Sequence, residues 1–417
     1  MRIGVWHNLP SGGGKRALYY HVRGLVERGH HVETWCPSTV DQNYLPLSEI
    51  VQEHVLTLEW SSAPVGDDLR HSVLRYRDFQ YKIEAMHRHC QDCAQEIDRG
   101  DFDVLFANSC LFFRSAPIGL YVKTPSLLYL QEPYRPLYEA MPTLPWMALP
   151  PPGKVWWSPR YLKYFIPNAI DVQRYRIQLR EELYNARAFD RILVNSYFSR
   201  ESVLRAYGLD ATVCYLGIDT ELFAERDASR ERFVIGVAAF YPEKNIEFVI
   251  EAIAALPEPR PRLVWVGNAG VAWYLENLTN LARSLGVSFE PRQRVTDTEL
   301  VDLLNRAYVM AYAPRLEPFG FAPLEANACG LPIVAIAEGG VRETIIDGVN
   351  GLVVMPDPKA MALAIQRLLD DPDNARKLGN AGHRIVCEKW SQQAAIDRLE
   401  KNLQSIVKAS RHSIPQA

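Results

Sequence analysis

The segment Tyr312 to Leu331 carries the most specific chemical pattern in the chain, Glu317-Pro-Phe-Gly-Phe-Ala-Pro-Leu-Glu325. An apolar run, Val309-Met-Ala-Tyr312, reads as a buried strand. The loop after it holds Glu317, Phe319 and Gly320, and Pro323 suits the first turn of a helix. Gly320 lets a ligand come close to the backbone. The N–H groups of Phe321 and Ala322 would then sit at a helix N-terminus, a natural seat for a phosphate or diphosphate. Glu325 lies near enough to accept hydrogen bonds from a ribose diol. Glu317 lies before the helix, on the far side of the phosphates, where a sugar would be. One carboxylate thus reads a nucleoside and the other a sugar.

Alternating strands and helices must position this pattern. Arg2 to His7 reads as a strand, Ser11-Gly-Gly-Gly14 as a turn, Lys15 to Arg28 as a helix and His31 to Trp35 as a second strand, a parallel βαβ start. Bounded apolar runs at 104–107, 126–130 and 191–194 suit further buried strands. A second α/β series runs from the strand 233–238 through 262–266, 309–312 and 333–336, with helices at 246–256, 275–285 and 298–307 and a last helix over 392–410. The polar stretch Glu221 to Glu231 reads as a linker. The segment 141–167 is rich in proline and tryptophan, which argues against a central strand or a long helix there and for an inserted loop or lid.

The 417 residues imply two domains, and the 48% hydrophobic and 23% charged composition is that of a soluble globular chain. A net charge of −3 with no basic tract argues against nucleic-acid binding. Seven scattered cysteines favour a reducing compartment over a disulfide framework. The N-terminus lacks the features of a signal peptide, and no apolar run is long enough to span a bilayer. A cytoplasmic protein is expected, with peripheral contact at the inner face of a membrane through Trp156, Trp157, Arg160, Lys163 and Arg174 as one use of the lid.

The Glu317-to-Glu325 string, followed by Gly330-Leu-Pro-Ile-Val334, Gly339-Gly340, Glu343 and Asp347-Gly-Val-Asn-Gly351, resembles the signature of retaining glycosyltransferase family 4. Upstream, Leu193-Val-Asn-Ser196, Gly217-Ile-Asp219 and Pro242-Glu-Lys244 look like further family segments. The resemblance implies a GT-B fold: two Rossmann-like, doubly wound α/β domains facing a central cleft. The expected division is an acceptor domain over 1–222, a nucleotide-sugar domain over 223–390, and a helix over 391–417 that crosses back. It implies that Glu317 contacts sugar hydroxyls with the amides of Phe319 and Gly320, that Phe321 and Ala322 face the diphosphate, and that Glu325 binds ribose. Lys244 would neutralise the leaving diphosphate, and Arg292 to Val295 would border the base. Gly13 and Gly14 would join the donor site. Transfer would retain configuration with no metal and no cofactor beyond the donor, best matched to UDP-glucose with GDP-mannose and UDP-N-acetylglucosamine left open, toward a saccharide or lipid-linked acceptor.

Two positions depart from the pattern. The arginine usually found five residues before the lysine is Ala239, with Arg315 or Lys15 as candidate substitutes. The acceptor-side histidine is replaced in Leu130-Gln-Glu-Pro133, so Gln131 or Glu132 takes that role beside His7. These departures keep a non-catalytic sugar-nucleotide binder open, and a UDP-sugar epimerase of the same fold is a further alternative. A nicotinamide dehydrogenase is disfavoured, because Ser11-Gly-Gly-Gly14 lacks the spaced dinucleotide glycines. His87, His89, Cys90 and Cys93 share one helix and read as its ordinary face rather than a zinc site. Asp101-Phe-Asp103 reads as a strand start.

Overall fold

In the computed structural model the described residues are 1–60, 69–139, 144, 147 and 159–412. The chain divides into two compact units, one of residues 1–194, 199–214 and 396–417, the other of 195–198 and 215–395.

Unit 1 is built on β1 (Arg2–Asn8), α1 (Gly13–Glu27), β2 (His31–Pro37), β3 (Gln52–Leu56), α2 (Leu69–Arg99), β4 (Val104–Cys110), β5 (Ser126–Gln131), α3 (Pro159–Arg187), β6 (Arg191–Val194), α4 (Tyr197–Tyr207) and β7 (Thr212–Val213). Its seven strands lie in the order β3-β2-β1-β4-β5-β6-β7, and the registered pairs are parallel. The central strands β4 and β5 are buried on both faces because helices cover both. Trp6, Trp35, Leu105 and Leu128 pack with Phe79, Ile83, Met86 and Ile97 of α2 in one continuous core.

Unit 2 contains β8 (Phe233–Val237), α5 (Ile246–Ala254), β9 (Arg262–Val266), α6 (Ala272–Ser284), β10 (Phe289–Arg292), α7 (Asp297–Arg306), β11 (Val309–Tyr312), α8 (Phe321–Ala328), β12 (Ile333–Ile336), α9 (Val341–Thr344), β13 (Leu352–Val354), α10 (Pro358–Asp370) and α11 (Pro372–Lys389). Its order is β10-β9-β8-β11-β12-β13. In both sheets the strand progression reverses beside the first strand, between β1 and β4 and between β8 and β11. Such a reversal leaves a crevice at the carboxyl ends of the strands.

The last helix, α12 (Gln392–His412), starts in unit 2, and from Ile396 onward it belongs to unit 1. There it lies on α1. A Cβ at Gly24 would sit 2.5 Å from Ile396, and Arg28 binds Asp397 and Glu400.

Three expectations change. The segment 221–231 is no loose linker: Arg230 donates to the carbonyls of Leu304, Ala307 and Cys329, and Glu231 pairs with Arg262 and Arg306, so this stretch is part of unit 2. A boundary after 222 thus falls inside that unit. The end of the proline-rich segment is helical. Pro159 occupies the first turn of α3, where no N–H is needed, and Pro167 costs the helix interior one hydrogen bond. Trp146, Trp156 and Trp157 lie outside the described residues. Asp103 does start a strand, as expected, by accepting from the Arg2 N–H at 2.8 Å. His89, Cys90 and Cys93 are buried on α2 against the sheet.

Candidate functional site

The strand reversal in unit 2 explains how two distant residues meet. The loop leaving β8 turns through Pro242–Lys244 into α5, and the loop leaving β11 runs through Glu317 into α8. Because β8 and β11 are neighbours, these loops emerge side by side, and the Arg315 N–H donates to the Glu243 carbonyl at 3.1 Å. Lys244 Nζ then lies 2.6 Å from a Glu317 carboxylate oxygen. Both side chains keep a fifth to a quarter of their surface exposed (25% and 21%), so solvent screens the pair and it adds at most about 1 kcal/mol to stability. Its consequence is placement: a fixed cation and a fixed carboxylate at the mouth of the crevice.

The backbone around Glu317 is held from three sides. Gly340 N–H donates to the Glu317 carbonyl at 2.8 Å, and Ser196 Oγ donates to the Pro318 carbonyl at 2.6 Å. Gly339 has φ +65°, and a Cβ there would lie 2.3 Å from the Glu317 carbonyl oxygen. Glu343 accepts from the N–H groups of Tyr197 and Phe198, both at 2.9 Å, and from Tyr215 Oη at 2.8 Å, which ties residues 195–198 to the same corner. The sequence showed Gly339, Gly340 and Glu343 as part of a motif without a role. Two adjacent glycines in the loop after a strand were the available signal of a close backbone approach.

Gly339→Ala is therefore expected to displace Glu317. A left-handed alanine costs about 1 kcal/mol, and the overlap moves the loop by a distance that costs roughly 10²-fold in rate when it reaches a reacting group. Steady-state transfer assays with circular dichroism as a folding control check it; unchanged kcat/KM would refute the supporting role.

Phe319 is buried against Trp390 and Phe321, and Gly320, at φ +85°, begins α8. A Cβ at Gly320 would meet the Tyr312 hydroxyl at 2.7 Å. Phe321 and Ala322 form the first turn of α8, where backbone N–H groups have no acceptor within the helix. Glu325 lies one turn further in and is only 3% exposed, deeper than a first-turn position implies. Arg292 is exposed and held by Glu290, while Asn268 clamps Val295 by two reciprocal bonds of 2.9 Å. Ala239 is partly buried in the loop after β8, and Arg315 is exposed two residues before Glu317.

In unit 1 the matching reversal brings the glycine turn to the end of β5. Gln131 has φ +63°, an uncommon backbone for a residue with a side chain, and its amide lies 3.3 Å from where a Gly14 Cβ would be. Gly13 is the first residue of α1. Glu132 is engaged by Arg114 at 3.5 Å and Arg135 at 3.3 Å, which holds it in a fixed ionic network. His7 does not reach the surface, as an acceptor-side role requires. Its imidazole is fully buried beneath α1, and burial lowers its pKa to about 4. Lys15 is likewise buried, so its ammonium is not presented at the surface as a substitute for the missing arginine.

Two parallel-sheet units with ligand loops at their strand reversals define a GT-B protein, and the matches agree. Residues 11–222 match Glycosyltransferase Family 4 and residues 218–385 match Glycosyl transferases group 1. The chain belongs to glycosyltransferase family 4. It is 33% identical over 233 residues to a GDP-mannose-dependent alpha-(1-6)-phosphatidylinositol monomannoside mannosyltransferase of Mycolicibacterium smegmatis, covering 50% of this chain and 60% of that one. It is 31% identical over 242 residues to a D-inositol 3-phosphate glycosyltransferase of Kineococcus radiotolerans, covering 50% and 55%. The matched segments thus span only a little over half of these relatives. Among solved structures it is similar to Anabaena Alr3699/HepE in complex with UDP (TM-score 0.69, 17% identity, covering 97% of this chain and 100% of that one). It is also similar to a sucrose-phosphate synthase from Thermosynechococcus elongatus (TM-score 0.71, 21% identity, covering 98% and 100%). At these identities the likeness concerns the fold.

Proposed function

We propose that this protein is a retaining glycosyltransferase that moves a hexose from a nucleotide sugar to a saccharide or lipid-linked saccharide. The observation that carries this is the Lys244–Glu317 contact beside the N-terminus of α8. An ammonium has three N–H donors, so Lys244 can keep Glu317 and still reach a phosphate oxygen. Glu317 then accepts from sugar hydroxyls, and the first N–H groups of α8 face the diphosphate. As the bond between the anomeric carbon and the diphosphate breaks, negative charge grows where these fixed donors point. The acceptor oxygen bonds to the anomeric carbon on the face the diphosphate leaves, and its proton passes to a phosphate oxygen. No step requires a metal. Arg315 is the second cation, in place of the arginine that Ala239 lacks.

The acceptor is assigned to unit 1, with Gln131 and Glu132 as its polar contacts. Peripheral contact with a membrane surface fits Phe165 and Ile166, which are 49% and 43% exposed on α3 near Lys163 and Arg174. Among the described residues no helix is long and apolar enough to cross a membrane.

The donor is a nucleotide hexose. UDP-glucose is the preferred donor, with GDP-mannose and UDP-N-acetylglucosamine as the alternatives, and the mycobacterial relative is GDP-mannose-dependent. A thermal-shift panel of UDP and GDP sugars is expected to give a response selective for one base, and a saturating donor at 100 Kd adds about 2.7 kcal/mol. No response to any donor overturns the proposal. Product analysis with defined acceptors separates the alternatives: an isomerised nucleotide sugar formed without acceptor indicates an epimerase, and binding without turnover a non-catalytic subunit.

A further inference from the structure

The polar cluster beneath α1 takes no part in the proposed chemistry. Strand register places it: Ile3 pairs with Val32, Val5 with Thr34, and Thr34 with Glu53. Side chains alternate along a strand, so Ile3, Val5 and His7 of β1, Val32, Thr34 and Cys36 of β2, and Glu53 of β3 share one face. That is the face on which Lys15 of α1 is buried; its other members are apolar save Thr34, whose hydroxyl is also buried without a hydrogen-bond partner. His7 and Cys36 are fully buried, and the Glu53 side chain is 2% exposed.

Both ring nitrogens of His7 and one carboxylate oxygen of Glu53 have no hydrogen-bond partner, although His7 Nε2 and Glu53 Oε1 are only 3.5 Å apart. Each unsatisfied buried group costs about 1–3 kcal/mol. One ligand atom each from His7, Cys36 and Glu53 lie within 4.8 Å of one another, and among the described residues theirs is the only such cluster.

We infer that His7, Cys36 and Glu53 form a site for a divalent transition metal, with zinc the best match. Nitrogen, sulfur and oxygen ligands at about 2.0–2.3 Å around tetrahedral zinc stand roughly 3.3–3.8 Å apart, so the cluster needs to contract by about 1.5 Å at most. Thiolate and carboxylate together balance the dication. On binding, Cys36 releases its thiol proton to solvent, the three ligand atoms bond to the ion, and the ion gives up water molecules in exchange. Lys15 Nζ, also buried without a hydrogen-bond partner, is the buried cation whose charge opposes that of an entering metal. The ion clamps the ends of β1 and β2 to β3 below the glycine turn. Its role is structural, and the inference does not rest on the proposed transfer reaction.

The test titrates Co²⁺ into the full chain carrying Cys387→Ser, because Cys387 is the one exposed thiol and lies 3.7 Å from His383. One equivalent is expected to give a near-ultraviolet thiolate-to-cobalt band that Zn²⁺ removes and that Cys36→Ser abolishes. Absence of the band in this background, or its survival in Cys36→Ser, overturns the site. Should Cys36→Ser fail to fold, Lys15→Met decides: removing the opposing charge is expected to tighten binding at least tenfold (about 1.4 kcal/mol), and unchanged or weaker binding refutes the arrangement.

Discussion

Lys244→Met is expected to lower kcat/KM for the proposed hexose transfer by roughly 10²–10³-fold, with most of the loss in kcat. The cation acts on charge that exists fully only as the diphosphate leaves, so its removal affects the transition state more than donor binding. Glu317→Gln keeps the shape of the side chain but loses the charge that fixes Lys244 at 2.6 Å, and a loss of comparable size is expected. The double variant is expected to lose much less than the product of the two single losses, because the residues act as one unit. Arg315→Met, at the exposed neighbouring position, lowers the same step less. Folding is unaffected, since a partly exposed pair contributes at most about 1 kcal/mol. Steady-state kinetics with the donor chosen by the thermal-shift panel check these values. Full activity in either single variant would remove the pair from the mechanism.

How much of this was visible beforehand depends on how local the determining physics is. The strands 191–194, 262–266, 309–312 and 333–336 stand where the sequence put them, because each is a short apolar run bounded by polar residues and buried on both faces. Helix α3 has no counterpart among the helices expected from the sequence, and over its first turns proline counts as a breaker although Pro159 sits where none of its missing bonds matter. The Lys244–Glu317 contact joins residues 73 positions apart, and no local periodicity encodes it. It was legible only through the resemblance. His7 shows the opposite error: the alternation of Ile3, Val5 and His7 already pointed it at the buried face, yet its place at the strand end suggested a ligand. The supports of Glu317 were present as letters, but their role depends on how a turn folds back on a loop from another strand.

The buried carboxylate of Glu182 makes the stability of unit 1 depend on pH. Glu182 lies on α3 with no exposed surface and accepts from the N–H groups of Arg114 and Ser115 at 2.9 and 3.0 Å. Burial penalises its charged form and raises its pKa from 4.5 to about 7, although the two N–H donors and Arg114 favour the anion. Between these two values the folded chain holds a proton that the unfolded chain has released. Stability therefore falls as pH rises through this window and levels off above it. The full contribution is about 3 kcal/mol at 1.36 kcal/mol per pH unit. Glu182→Gln has no ionisation to penalise, but its amide NH₂ cannot accept, so one of the two backbone donors is left unmet at a cost of about 1–3 kcal/mol. Wild type is thus expected to exceed the variant clearly at pH 5 and to lose that advantage progressively by pH 8. Urea denaturation of both proteins across this range measures it, and parallel curves would show that Glu182 is ionised in the folded state throughout. The same carboxyl holds residues 114 and 115 at the end of the loop leaving β4, where Arg114 meets Glu132. A proton gained or lost at Glu182 therefore acts on the network to which the acceptor contacts are assigned, and the variant's KM for acceptor should shift with pH differently from that of the wild type.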